Sequence, residues 1–233
     1  MKRLLSVMAL VGAMAVSTIA NAQDKVETTL SADIVSSYIW RGQDLGSASV
    51  QPTLGIGWKG LSLSAWGSYG FVDKNDMKEI DMSLLYSVAG LTVGLTDQYN
   101  LIGKENDPAK YFRFRSGEKG EQFHVLEGQL GYDFGILAFN WYTNIAGVDD
   151  DYSSYFEMTV PFKLGVNWEF NVGIVPYKSR YYYTDSFTCT NLNLKASKEI
   201  PITGMFKLPV FGQLVANPDN GKFYFVFGVS LGI

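Results

Sequence analysis

The stretch from Lys222 to the last residue, Ile233, constrains the fold more than any other. Phe223, Phe225, Phe227, Val229, Leu231 and Ile233 fall on one face of a strand. Tyr224, Val226, Gly228, Ser230 and Gly232 fall on the other, because successive side chains of a strand point to opposite sides. A strand this apolar exposes hydrogen-bonding groups on both edges and must be paired on each to escape aggregation. Closing the sheet into a barrel meets that requirement.

The same alternation recurs upstream, in segments near residues 28–41, 50–58, 61–71, 80–88, 91–101, 121–132, 136–146, 152–162, 166–174, 186–197 and 205–216. Tight turns follow at Lys59-Gly60, Ala89-Gly90, Asp133 to Gly135 and Lys163 to Gly165. Longer loops alternate with them at Gly42 to Ala48, Asp73 to Lys78, Ile102 to Gly120, Gly147 to Asp151 and Tyr177 to Asp185. The join at Lys198 to Gly204 departs somewhat from that alternation. An even set of about 12 strands, with short turns at one end and long loops at the other, predicts an all-β chain: a closed antiparallel transmembrane β-barrel.

Two barrel types share one apolar face, and the polar face separates them. A soluble barrel needs a Lys- and Glu-rich exterior, whereas here that face is mostly Ser, Thr, Asn, Gln and Gly, which suits a confined wet lumen. The sequence is 47% hydrophobic and 15% aromatic, with its apolar residues dispersed as alternation after the N-terminal segment. Tyr38, Trp40, Trp58, Tyr69, Tyr99, Tyr132 and Tyr152 stand towards strand ends and are expected to form aromatic girdles at the two membrane interfaces. Lys2 and Arg3, the apolar run from Leu4 to Ile19 and the small-x-small pattern Ala20-Asn21-Ala22 read as a cleaved signal peptide over residues 1–22, leaving 23–233 as the barrel. The expected address is the outer membrane of a Gram-negative bacterium. There the partners would be outer-membrane lipid, lipopolysaccharide and the barrel-insertion machinery. The final strand is similar to the signal that machinery reads, which usually ends in Phe where Ile233 stands here. A net charge of -4 without a basic patch argues against nucleic acid as a partner. Cys189 is the only cysteine, so the chain forms no internal disulfide.

The run Ser36-Ser37-Tyr38-Ile39-Trp40-Arg41-Gly42-Gln43, followed by Val50-Gln51-Pro52 and by Gly60 to Ser68, resembles the opening of the TorF-type putative porin family. The resemblance covers roughly the first fifty residues after the leader. It implies an outer-membrane β-barrel and a pore, and says little about a substrate.

Strand parity places Arg41, Asp81, Glu127, Glu157, Glu169 and Lys207 on the lumen side as candidate pore-lining residues. They either form a polar constriction that selects solutes by charge, or pair to fill and stiffen the interior. Asp97 falls among the apolar positions of its strand, which predicts a bulge or a place near the rim. His124 is the only histidine and reads as an interfacial residue; a His-Ser dyad would need a serine where Leu126 stands. No nucleophile, base and orienting group assemble from the sequence, so no enzyme, metal site or cofactor is expected. The expected function is passage of small hydrophilic solutes. The alternative is a non-conducting structural or adhesive barrel that binds a partner through loops 102–120 and 177–185.

Overall fold

The computed structural model describes residues 25–73, 76–100, 111–112, 124–149, 151–204 and 206–232. The leader expected at residues 1–22, most of loop 102–120 and the terminal Ile233 lie outside the described residues. The strands are β1 (Glu27–Val35), β2 (Tyr38–Trp40), β3 (Gln43–Gly46), β4 (Ser49–Trp58), β5 (Leu61–Gly70), β6 (Lys78–Val88) and β7 (Leu91–Asn100). They continue as β8 (His124–Asp133), β9 (Ala138–Gly147), β10 (Ser154–Leu164), β11 (Val166–Val175), β12 (Thr188–Pro201), β13 (Lys207–Asn217) and β14 (Lys222–Gly232). β1 and β4 to β14 form a closed antiparallel barrel of twelve strands, and β2–β3 is a separate two-stranded sheet.

The ends of the wall meet where β1 pairs with β14, from Ser31↔Gly232 to Val35↔Gly228. That seam leaves the barrel sheet no open edge, as the terminal strand demanded. The wall is apolar outside and polar inside. On β14, Phe223, Phe225 and Phe227 project outward and are exposed, while Val226 and Ser230 face in and are buried. On β4, Leu54, Ile56 and Trp58 are exposed, whereas Ser49 and Gln51 are buried. Closure satisfies the backbone groups within the ladder, and an apolar exterior over a polar interior is the side-chain arrangement of a barrel that faces lipid.

Short turns close one end. Lys59-Gly60 (φ 49° and 85°) and Ala89-Gly90 (φ 49° and 87°) take left-handed conformations at both central residues, the geometry that matches strand twist in two-residue hairpins. β12 runs on to Pro201, so the join expected at 198–204 contracts to residues 202–206, where Ile202 N and Thr203 N both donate to Phe206 O at 3.0 Å.

The first strand corrects the sequence reading. Alternation from Leu30 to Trp40 reads as one strand ending at Arg41, but β1 stops at Val35. Ser36 makes the last wall contact, its N–H donating to Phe227 O at 2.9 Å while its Oγ accepts from Phe227 N at 3.0 Å. The chain then turns into the lumen as the β2–β3 hairpin. Its turn, Arg41-Gly42 (φ 49° and 82°), repeats the geometry of the two closing turns.

Candidate functional site

The β2–β3 hairpin is held by the inner wall on several sides. Tyr38, 5% exposed, donates from its hydroxyl to Glu79 Oε2 on β6 at 2.7 Å and lies 5.6 Å from the Trp66 ring of β5. Ile39 joins a buried apolar cluster with Val35 of β1, Phe211 and Val215 of β13 and Val226 of β14. At the tip, the Gly42 carbonyl accepts from Asn217 Nδ2 at 3.0 Å, and a Cβ on Gly42 would overlap the Thr190 carbonyl oxygen. Burying one such aliphatic side chain contributes about 1.5–3 kcal/mol, so a well-packed hairpin of this size can stay docked.

A loop clamps the outer strand of the hairpin. Met77 N donates to Leu45 O at 3.1 Å. Asp76 accepts from Ser47 N at 2.9 Å, Ser47 Oγ at 3.1 Å and Asp73 N at 3.1 Å. Slight burial pushes the Asp76 carboxyl up, but the amide donors of Ser47 and Asp73 outweigh it and hold the group below its ordinary 3.8. A depressed folded-state value means that the clamp stabilises above pH 3.8 and is lost as pH falls through the lower folded value. Amide-exchange protection at Ser47 is therefore expected to collapse only in acid below that point, and to be weaker and flat with pH in Asp76→Asn.

The tip carries the densest polar contacts. Arg41 makes a fork to Glu127 on β8, with Nη1 to Oε2 at 2.5 Å and Nη2 to Oε1 at 2.9 Å. Nη1 also donates to the Tyr182 hydroxyl at 2.5 Å. The guanidinium carbon stands 4.4 Å from the centre of the Trp40 ring, 4.1 Å from Tyr142 on β9 and 4.6 Å from Tyr155 on β10. Trp40 stacks on Tyr182 at 5.9 Å, and Tyr182 stacks on Tyr155 at 5.7 Å. The arginine is thus caged by aromatic faces and paired bidentately with one carboxylate, the geometry for which guanidinium is suited and ammonium is not.

Tyr181 and Tyr182 come from the connection between β11 and β12, which also folds inward. Ser179 and Thr184 bridge across its base, Tyr182 N donates to Ser179 Oγ at 3.0 Å, and Ser179 Oγ donates to Ser153 Oγ at 2.7 Å. Tyr181 donates to Gln98 Oε1 on β7 at 3.0 Å. Burial, opposed by Arg41 and reinforced by Glu127, raises the Tyr182 hydroxyl well above the ordinary phenol range. It therefore stays a neutral acceptor for Arg41.

The predicted lumen residues divide by depth. Arg41 and Glu127 meet in the cage. Glu157 accepts from Tyr155 OH at 2.8 Å beside it. Asp81 and Glu79 share the inner face of β6 and flank the docking point of Tyr38. Glu169 pairs across the sheet with Lys195, whose ammonium stands 4.4 Å from the Phe211 ring. Lys207 sits apart at the turn end, exposed and bonded to Glu199 at 3.2 Å. Among the described residues, Asn140 Nδ2, Asn171 Oδ1 and Asn193 Oδ1, on the inner faces of β9, β11 and β12, are buried side-chain atoms without a protein hydrogen-bond partner. Such atoms require solvent or solute.

Tyr38 and Trp40, expected in the girdle, are a correction. Both lie inside, because the chain leaves the wall at Ser36. Trp58, Tyr69, Tyr132 and Tyr152 are exposed. Tyr99 points outward but is covered, its ring 4.5 Å from His124 and 5.2 Å from Tyr111. Asp97 also faces outward, on an unbroken β7 opposite a β8 whose register shifts against β9 between Leu126 and Glu127. It accepts from Tyr111 OH at 2.9 Å and bonds His124 Nδ1 at 2.8 Å. Burial and the Asp97 carboxylate push the Tyr111 hydroxyl up to about 12, so it remains a donor. His124 Nε2 bonds the Tyr111 carbonyl oxygen at 2.7 Å, so its two ring nitrogens are held by Asp97 and Tyr111. The inward hairpin was the element that sequence reasoning missed, although Arg41-Gly42 has the same residue-plus-glycine form as Lys59-Gly60 and Ala89-Gly90, which it recognised as turns. The chain matches no protein-family model and no curated protein.

Proposed function

We propose that this chain is an outer-membrane channel for small hydrophilic solutes, held shut in this conformation by its β2–β3 hairpin. The observation that carries the reading is the Arg41–Glu127 fork, which pins a separate structural element across a polar lumen. A barrel that served only as a stiff post could fill its interior from the wall, without a separate hairpin docked into it. The orphaned polar atoms on the inner faces of β9, β11 and β12 support a hydrated interior. In this reading the exposed outer wall meets outer-membrane lipid and lipopolysaccharide, β14 carries the signal for the insertion machinery, and the address is the Gram-negative outer membrane. The resemblance of residues 36–68 to TorF-type porins agrees with it.

A second reading is favoured by the loop tips, where Phe112 is 88% exposed and Tyr183 84% exposed. Aromatic rings presented this way suit recognition of a partner by a non-conducting barrel. Liposome swelling separates the two. Proteoliposomes of a variant lacking residues 38–46 are expected to swell rapidly in a small sugar or amino acid, and those of the intact chain slowly. A folded deletion variant that is as impermeable as the intact chain would favour the adhesive reading.

A further inference from the structure

Five groups converge on the Arg41 guanidinium, and four of them belong to the frame rather than to the hairpin. Glu127, Tyr142 and Tyr155 project from β8, β9 and β10 of the closed wall. Tyr182 is set by the Ser179–Thr184 bridge and the Ser179 hydroxyl. Only Trp40 travels with Arg41. The frame is therefore a receptor, and the arginine is delivered to it on a detachable element.

We propose that Glu127, Tyr142, Tyr155 and Tyr182 form a recognition site for a small organic cation of guanidinium type, and that Arg41 is the occupant the chain supplies to itself. The chemistry of the site selects the class. Ring faces attract a delocalised cation, a carboxylate accepts two parallel N–H bonds, and a phenol oxygen accepts a third. A neutral isostere lacks the charge, and an anion would meet Glu127 and the neighbouring Glu157. The lumen has the same bias: the carboxyl groups of Asp33, Glu79, Asp81, Glu127, Glu157 and Glu169 face inward beside Arg41 and Lys195, a lining rich in acceptors that suits a cationic solute. A cationic solute that takes the place of Arg41 would free the hairpin and so admit itself. This assignment of solute class rests on the conduit reading; the cage as a binding site does not.

The test is chemical rescue of Arg41→Ala, refolded in detergent. Methylguanidinium at millimolar concentration is expected to restore at least half of the lost Tm. Urea, its neutral counterpart, should restore none, and methylammonium should bind about tenfold more weakly because it lacks the fork. In Arg41→Ala/Glu127→Gln the rescue should vanish. If Arg41→Ala does not refold, Arg41→Lys replaces it, and methylguanidinium should raise its Tm more than that of the intact chain. A folded variant with no shift, an equal shift with urea, or undiminished rescue after loss of Glu127 would overturn the site. Solute uptake read in parallel keeps the two proposals apart. Rescue without permeability retains the cage and removes the conduit, whereas permeability without rescue does the reverse.

Discussion

Arg41→Ala is expected to release the β2–β3 hairpin while leaving the barrel closed. Removing one partner of a buried, hydrogen-bonded ion pair costs about 3–5 kcal/mol, because the remaining charge is left desolvated. Here the cost has an outlet. If the hairpin swings out, Glu127 regains water, so the penalty falls on docking rather than on the strand ladder. At about 1.4 kcal/mol per factor of ten, the ratio of docked to undocked hairpin should fall by a factor between about 10² and 4 × 10³. Protease cleavage within residues 36–48 should accelerate accordingly, and Tm should fall with the docking energy lost, while the strand content of the barrel is unchanged. Glu127→Gln, which keeps an acceptor, should be milder. The Arg41→Ala/Glu127→Ala double variant should cost less than the sum of the singles, since it strands no charge. Equal, additive losses would mean that the two groups act independently of each other.

Gly42→Val is the second large effect. The position has φ 82°, where a β-branched residue is strained by about 1–3 kcal/mol, and its Cβ would occupy the space of the Thr190 carbonyl oxygen. Relieving the overlap costs a further amount of about 1–3 kcal/mol. Thr190 lies at the register shift between Cys189 and Asn191, which pair with Ile174 and Gly173 of β11 and hold it in the wall, so the tip is the part that leaves. Gly165→Val provides the control, because Gly165 has φ 72° with nothing within 4 Å of an added Cβ. Both variants carry backbone strain; only Gly42→Val should expose the hairpin to protease. Comparable exposure in both would place the effect in the turn itself and not in its seating against Thr190.

The wall was legible in the sequence because a barrel strand writes its burial at period two. β4 to β7 and β14 begin and end within a few residues of where alternation places them. The hairpin was not legible for the same reason. Leu30, Ala32 and Ile34 continue in phase with Tyr38 and Trp40, so alternation carries straight through the point where the chain leaves the wall. Length was the available signal, since a stretch from Thr28 to Arg41 exceeds the roughly 9–11 residues that a tilted strand needs. Arg41-Gly42 was the other, being a turn in the middle of what reads as a strand and its loop. Of the candidate site, parity put Glu127 and Glu157 on the inner face correctly. It could not pair them with Arg41 and three tyrosines, because those contacts join residues 86 to 141 positions apart in the case of Glu127 and Tyr182. Asp97 and His124 show the converse. Each was placed on the outer face by parity, but their shielding comes from Tyr111, which no period encodes.

The most direct test of a plugged lumen is the reactivity of position 43. In a Cys189→Ser background, Gln43→Cys places a thiol directly after the buried turn, and Tyr183→Cys places one on an exposed loop tip. With a bulky membrane-impermeant maleimide, a docked hairpin requires Cys at position 43 to react more slowly than Cys at 183 by about tenfold or more, since labelling must wait for local opening. Adding Arg41→Ala should erase most of that protection. Equal labelling rates at the two positions in the otherwise intact chain would contradict a hairpin seated inside the barrel.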